Sequence, residues 1–131
     1  MSFLVTGAAG FIGFHVARRL MARGDSVVGT DNLNDYYDVG LKRDRISKLH
    51  EKHGGSFRFV EVDFADAAAL ADAVGREDFD RIVHLGAQAG VRYSIQNPHA
   101  YVHANLVGHL NLIELARHRR SSHLVYASSS S

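Results

Sequence analysis

Short apolar runs alternate along this chain with longer stretches in which apolar residues return every three or four positions, the two spacings that separate strands from amphipathic helices. Phe3-Leu4-Val5 reads as a strand and residues 11–23 as a helix, with Ile12, Val16 and Leu20 at helical spacing. Gly24-Asp25 ends that helix, and Ser26-Val27-Val28-Gly29-Thr30 reads as a second strand. Residues 31–40 are a polar loop before a charged helix over about 41–52, which Gly54-Gly55 closes. Phe57 to Val62 alternates as a third strand, an alanine-rich helix covers about 66–76, and Arg81-Ile82-Val83-His84-Leu85 is a fourth strand. A loop runs to Asn97. Pro98 suits the first turn of a helix reaching about Arg119, and His123-Leu124-Val125-Tyr126-Ala127 is a fifth strand.

Five strands separated by four helical segments predict an α/β fold, a doubly wound parallel sheet built by right-handed crossovers and occupying all of 1–131. Such sheets place their sites at the carboxyl ends of the strands, and the sequence stops at that end of the fifth, so a further helix and more chain are expected beyond Ser131. Helix 98–119 carries two apolar stripes, Val102, Leu106, Leu110 and Ile113 on one side and Tyr101, Gly108, Leu112 and Leu115 towards another.

Composition narrows the class. With 46% hydrophobic and 22% charged residues, 131 residues suit one globular domain with one core. A net charge of +1 gives no general attraction to nucleic acid or anionic membrane, and the absence of cysteine excludes disulfides and thiolate chemistry. No apolar run approaches the roughly 18 residues of a membrane span. A cytoplasmic protein is expected, with neither nucleic acid nor membrane as partner.

Thr6-Gly7-Ala8-Ala9-Gly10-Phe11-Ile12-Gly13 sets three glycines three residues apart between the first strand and the first helix. Gly7 permits the tight turn, Gly10 a close approach of backbone to a pyrophosphate, and Gly13 close packing of the helix on the sheet. The N–H groups around residues 10–13 then point at the anion. Asp31 closes the second strand 18 residues after Gly13 (31 − 13), near the roughly 20-residue distance at which a carboxylate meets an adenosine ribose. This combination predicts a Rossmann-type dinucleotide site. Asp31-Asn32-Leu33-Asn34-Asp35 holds no lysine or arginine for a 2′-phosphate, so NAD is favoured over NADP; the alternative for Asp31 is a turn cap. At later strand ends, Asp63 and Phe64 are placed to bracket the adenine, with an N-cap role as the alternative for Asp63, and Gly86-Ala87-Gln88 to line the middle of the cofactor. His99 and His103 lack a carboxylate at ligand spacing, so no metal is predicted.

These residues resemble the extended short-chain dehydrogenase/reductases, in their nucleotide-sugar epimerase and dehydratase branch. The likeness covers essentially the whole chain. Thr6 to Gly13, with Ala9, Phe11 and Ile12, is similar to the cofactor motif of that family, His84-Leu85-Gly86-Ala87 to its fourth-strand motif, and Tyr126-Ala127-Ser128-Ser129-Ser130-Ser131 to its fifth-strand end. Asp31-Asn32-Leu33-Asn34-Asp35-Tyr36-Tyr37-Asp38 and Ala87-Gln88-Ala89-Gly90-Val91-Arg92-Tyr93-Ser94 resemble the UDP-glucuronate 4-epimerases. Gly86 departs from the usual alanine, which predicts a looser strand end.

The resemblance implies redox epimerisation at C4 of a UDP-hexuronic acid, UDP-glucuronate to UDP-galacturonate through a transient 4-keto sugar, with NAD taking and returning the hydride. It implies that Ser129 hydrogen-bonds the 4-oxygen, that Ser130 and Ser131 lie near the uronate, that Asn105 braces the active-site backbone at the cofactor, and that Leu85 lies with Gly86 beside it. Arg92 is the candidate partner for the uronate or UDP, with a solvated loop arginine as the alternative. A homodimer through one apolar stripe of helix 98–119 is implied as well, the alternative being that the helix expected beyond Ser131 covers that stripe. The rivals are a 4,6-dehydratase or reductase of the same branch and a non-catalytic NAD-binding module; such dehydratases carry Thr-Asp-Glu where this chain has serines. The catalytic base of the family is a tyrosine with a lysine four residues later. The residues four after Tyr36, Tyr37, Tyr93, Tyr101 and Tyr126 are Gly40, Leu41, Asn97, Asn105 and Ser130, so the pair is expected beyond Ser131 and these residues alone are expected to be inactive.

Overall fold

Phe3, Leu4 and Val5 are all buried, as a strand covered on both faces requires. In the computed structural model, which describes residues 1–129, that run lies in β1 (Ser2–Thr6). The other strands are β2 (Ser26–Asp31), β3 (Phe57–Glu61), β4 (Arg81–His84) and β5 (His123–Tyr126). All pair in parallel in the order β3-β2-β1-β4-β5. Thr6 faces Thr30 of β2 on one side and His84 of β4 on the other, so the carboxyl ends of the three central strands lie level.

Alternate side chains of β1 feed two cores. Phe3 and Val5 pack with Phe14, Ala17 and Met21 of α1 (Phe11–Ala22) and with Ile46 and Leu49 of α2 (Val39–His53). Leu4 packs on the opposite face with Leu70 and Val74 of α3 (Ala67–Val74) and with Leu112 and Leu115 of α6 (His109–His118). Within α1 the buried face is Gly13, Phe14, Ala17 and Met21, and Ile12 of the apolar stripe is exposed. Gly13 explains the difference: with no side chain it lets that face of the helix sink against the Gly7 turn, and the larger apolar residues ride at the flank.

Three elements depart from the sequence reading. Helix α2 starts at Val39 because Asp38 caps it, accepting from the Gly40 N–H at 2.8 Å. The expected loop up to Asn97 contains a short helix, α4 (Tyr93–Gln96). Helix 98–119 is not one α-helix but α5 (Pro98–Tyr101), a π-helical turn over Val102–Gly108, and α6. Asn97 caps α5 through Ala100 N–H, with Pro98 in the first turn. The π turn coincides with two contacts: Asn105 reaches the Gln88 backbone, and Gly108 lies against the Phe64 ring where any side chain would collide. Of the two stripes on this helix, Gly108, Leu112 and Leu115 are buried, and Val102, Leu106, Leu110 and Ile113 are exposed. Among the described residues no helix is long and apolar enough to cross a membrane.

Candidate functional site

The chain winds from β1 outward to β2 and β3, then crosses to β4 and β5 on the other side, so a crevice opens at the carboxyl end of β1 between strands that lead away in opposite directions. A cleft of about 280 Å³ lies there. The β1 end contributes Gly7 and Gly10, the β2 end Asp31, Asn32, Asn34, Tyr36 and Tyr37, and the β3 end Asp63 and Phe64. The β4 end contributes Leu85, Gly86, Ala87, Gln88 and Ala89. Lys42, Ala100, His103 and Ala104 complete the lining.

The glycine turn is held from three directions. Ala8 N–H donates to the Thr30 carbonyl at 3.1 Å, Ala9 N–H to Asp31 Oδ2 at 3.2 Å, and Arg45 Nη1 to the Ala9 carbonyl at 3.1 Å. Gly7 sits at φ +69°, a conformation suited to glycine, with Gly86 packed against it so closely that a Cβ would fall 2.8 Å from Gly86 N. Phe11 and Ile12 form the first turn of α1 with their side chains exposed, and Gly13 lies against the Gly7 carbonyl. The first N–H groups of a helix have no intrahelical acceptor and favour an anion above them.

Asp31 takes the turn-cap alternative and also braces the glycine turn. Its Oδ1 accepts from Leu33 N–H at 2.9 Å, a turn cap, and its Oδ2 holds the glycine loop; each oxygen keeps a lone pair that can accept from a ribose hydroxyl. The buried Lys42 comes near this end of the cleft from α2, a basic residue that the 31–35 segment does not reveal. Its ammonium is committed to the Asn34 carbonyl at 2.8 Å and Asn34 Oδ1 at 3.0 Å.

Asp63 is not the N-cap of α3: Asp66 is, through Ala69 N–H at 3.0 Å. Asp63 Oδ1 accepts from Ala65 N–H, and Oδ2 pairs with His103 Nε2 at 2.7 Å. Gly86 does not loosen its strand end. Its N–H is held by Thr6 Oγ1 at 3.0 Å, and the Phe64 ring fills the place where an alanine methyl would stand. Asn105 grips Gln88 twice, accepting from its N–H at 2.9 Å and donating to its carbonyl at 3.1 Å.

The substrate-side residues are less drawn together. Ser129 is exposed, three residues past the end of β5, and Ser130 and Ser131 lie outside the described residues. Arg92 is exposed at the head of α4 and does not line the cleft. Tyr36 packs on Tyr93 at 5.0 Å, and Tyr101 donates to the carbonyls of Ala89 and Gly90, which ties the loop after β2 to the loop after β4. Desolvation, reinforced by Tyr36, Tyr93 and Tyr37, raises the Tyr101 phenol. Lys42, Arg45 and His103 belong to this site without a motif to mark them; Thr6 and His84 each open a motif, but their contact follows from the level strand ends of β1 and β4, which the motifs do not show. Among the described residues no group of three or more histidine, aspartate or glutamate side chains is placed to hold a metal.

A glycine turn, a carboxylate at the end of the second strand and a crevice at the switch point define a dinucleotide-binding α/β domain. The sequence pattern of the family described as GDP-mannose 4,6 dehydratase matches residues 4–131, and the chain belongs to that family, the epimerase and dehydratase group of the short-chain dehydrogenase/reductases. It is 51% identical over 131 residues to a probable UDP-glucuronate 4-epimerase of Rhizobium meliloti, covering 100% of this chain and 38% of that protein. A mutant UDP-glucuronic acid 4-epimerase from Bacillus cereus, solved with UDP-4-deoxy-4-fluoro-glucuronic acid and NAD, superposes with a TM-score of 0.85 at 33% identity, covering 100% of this chain and 41% of that one. A double mutant of DesIV, a dTDP-glucose 4,6-dehydratase from Streptomyces venezuelae solved with NAD, gives 0.83 at 30% identity, covering 98% and 39%. The chain thus spans well under half the length of these relatives.

Proposed function

We infer that this chain is the cofactor-binding part of an NAD-dependent nucleotide-sugar epimerase whose substrate is a UDP-hexuronic acid, with UDP-glucuronate and UDP-galacturonate exchanged at C4. The observation that carries the cofactor reading is the convergence, in one cleft, of the bare Gly7–Gly10 turn, the Asp31 carboxylate and the wall from Leu85 to Ala89, and the likeness to the UDP-glucuronate 4-epimerases supports the substrate. The cradle fits a dinucleotide. Backbone without side chains leaves room for a pyrophosphate at the head of α1, and Asp31 accepts from a ribose 2′-OH while repelling a 2′-phosphate.

NAD, when bound, supplies a hydride acceptor able to give the hydride back. Around it, Asn105 fixes the Gln88 backbone and Asp63, oriented by His103, meets the adenine. Ser129 hydrogen-bonds the sugar 4-oxygen, and Arg92, Ser130 and Ser131 serve the uronate or the diphosphate. No tyrosine among the described residues is followed four positions later by a lysine, so the proton at the 4-oxygen is assigned to a base outside this chain. The exposed stripe Val102, Leu106, Leu110 and Ile113 is the surface for a homodimer.

A 4,6-dehydratase is the second reading, favoured by the family's description and by the likeness to DesIV. The test is to incubate the full-length protein with NAD⁺ and UDP-glucuronate and resolve the products by NMR. UDP-galacturonate supports the proposal. Unchanged substrate in a protein shown to bind NAD⁺ overturns the substrate assignment and sends the test to other nucleotide sugars, where a 4-keto-6-deoxy product identifies a dehydratase.

A further inference from the structure

We propose that His84 is a positioning residue of the cofactor cleft, acting through the Thr6 hydroxyl to hold the Leu85 and Gly86 amides that form one wall. The proposal rests on the cleft being the dinucleotide site.

The argument is a count of protons. Thr6 Oγ1 lies 3.0 Å from Leu85 N, 3.0 Å from Gly86 N and 2.6 Å from His84 Nδ1, in a side chain with no solvent exposure. A hydroxyl has two lone pairs and one hydrogen. Both amides can only donate, so they occupy the lone pairs, and the hydrogen goes to His84 Nδ1. That assignment makes His84 an acceptor at Nδ1 and places its own proton on Nε2. A ring protonated at Nδ1 would compete with the amides for the Thr6 oxygen and release one of them.

The surroundings keep the ring in the required form. His84 is 5% exposed, with the Phe64 ring edge-on at 5.0 Å and His109 stacked at 5.3 Å, itself backed by Tyr126. Burial, aided by His109, pushes the imidazole down to about 4, so it is neutral near pH 7. The grip matters because Thr6 precedes Gly7, and Gly86 packs against Gly7: one hydroxyl sets the distance between the pyrophosphate turn and the wall beside it.

The experiment uses the full-length protein and compares His84→Leu, which removes the acceptor, with His84→Asn, whose Oδ1 stands near the position of Nδ1. Thr6→Val and Thr6→Ser form a second pair should His84→Leu fail to fold. Amide hydrogen exchange is read without cofactor, and NAD⁺ affinity by calorimetry. The expected result is at least tenfold faster exchange at Leu85 and Gly86, with Leu4 unaffected, and at least tenfold weaker NAD⁺ binding in His84→Leu and Thr6→Val, with both restored to within about threefold of wild type in His84→Asn and Thr6→Ser. Unchanged exchange and affinity in His84→Leu, or in Thr6→Val, overturn the proposal while leaving the cofactor reading intact. Wild-type protein that binds no NAD⁺ overturns the cofactor reading, and the proposal with it.

Discussion

Three glycine-to-alanine changes separate what backbone conformation and close approach each contribute at the cofactor turn. Gly7 has φ +69°, and an added Cβ would stand 2.8 Å from Gly86 N and 3.0 Å from Gly86 Cα, backbone atoms that cannot swing aside. Gly24 has φ +98° but open space around its would-be Cβ, and Gly55 has open space without a positive φ. Gly24→Ala therefore isolates the left-handed penalty, about 1–2 kcal/mol. Gly7→Ala adds overpacking, which brings the total to about 2–5 kcal/mol. Gly55→Ala restricts only the unfolded chain and should stabilise by about 0.4–1 kcal/mol. Equilibrium urea unfolding gives the three values, and calorimetry with NAD⁺ gives a second axis on which only Gly7→Ala should weaken binding, because only it displaces the Gly86 wall. Equal destabilisation in Gly7→Ala and Gly24→Ala would refute the claim that the turn and the β4 end are in compulsory contact.

Three further outcomes are expected. The His84 imidazole is depressed from 6.5 to about 4 on folding, so between those values the unfolded chain binds the extra proton. Its contribution is fully present above pH 6.5 and lost as the pH falls to about 4, a difference of about 3 kcal/mol, and the stability gap between wild type and His84→Asn should change over that window; a gap that stays flat contradicts the assigned burial. Asp31→Ala strips the acceptor from the Ala9 and Leu33 amides, and should cost about 1–3 kcal/mol in urea unfolding while narrowing the preference for NAD⁺ over NADP⁺ in parallel titrations. Leu112 is fully buried, so Leu112→Ala should cost about 2–5 kcal/mol, whereas Leu110→Ala on the exposed stripe should leave monomer stability nearly unchanged.

The elements that were easiest to read were those whose pattern is local. Phe3 to Val5 is apolar at every position because a central parallel strand is covered on both faces, and all five predicted strands and the order of helices between them are present. The glycine turn and the place of Asp31 at the end of the second strand were equally legible, since both depend on a few residues close in sequence. The interruptions of helix 98–119 and the short α4 were not, because a π turn is decided by what Asn105 and Gly108 meet on other elements. Gly86 looked like a weakness in isolation. Its reason is the Phe64 ring, contributed from the end of another strand.

From the sequence alone came the doubly wound class, the position of the glycine turn and the carboxylate that ends the second strand beside it, all consequences of periodicity and of residues within one β–α–β unit. Tertiary structure decided how those parts are held. Lys42 is bound to Asn34, Arg45 to the Ala9 carbonyl, His103 to Asp63, and Thr6 is shared between His84 and two amides. Each of these joins groups separated by many residues, and a hydrogen bond is set by distance in space and by which protons are already committed, neither of which a pattern along the chain records.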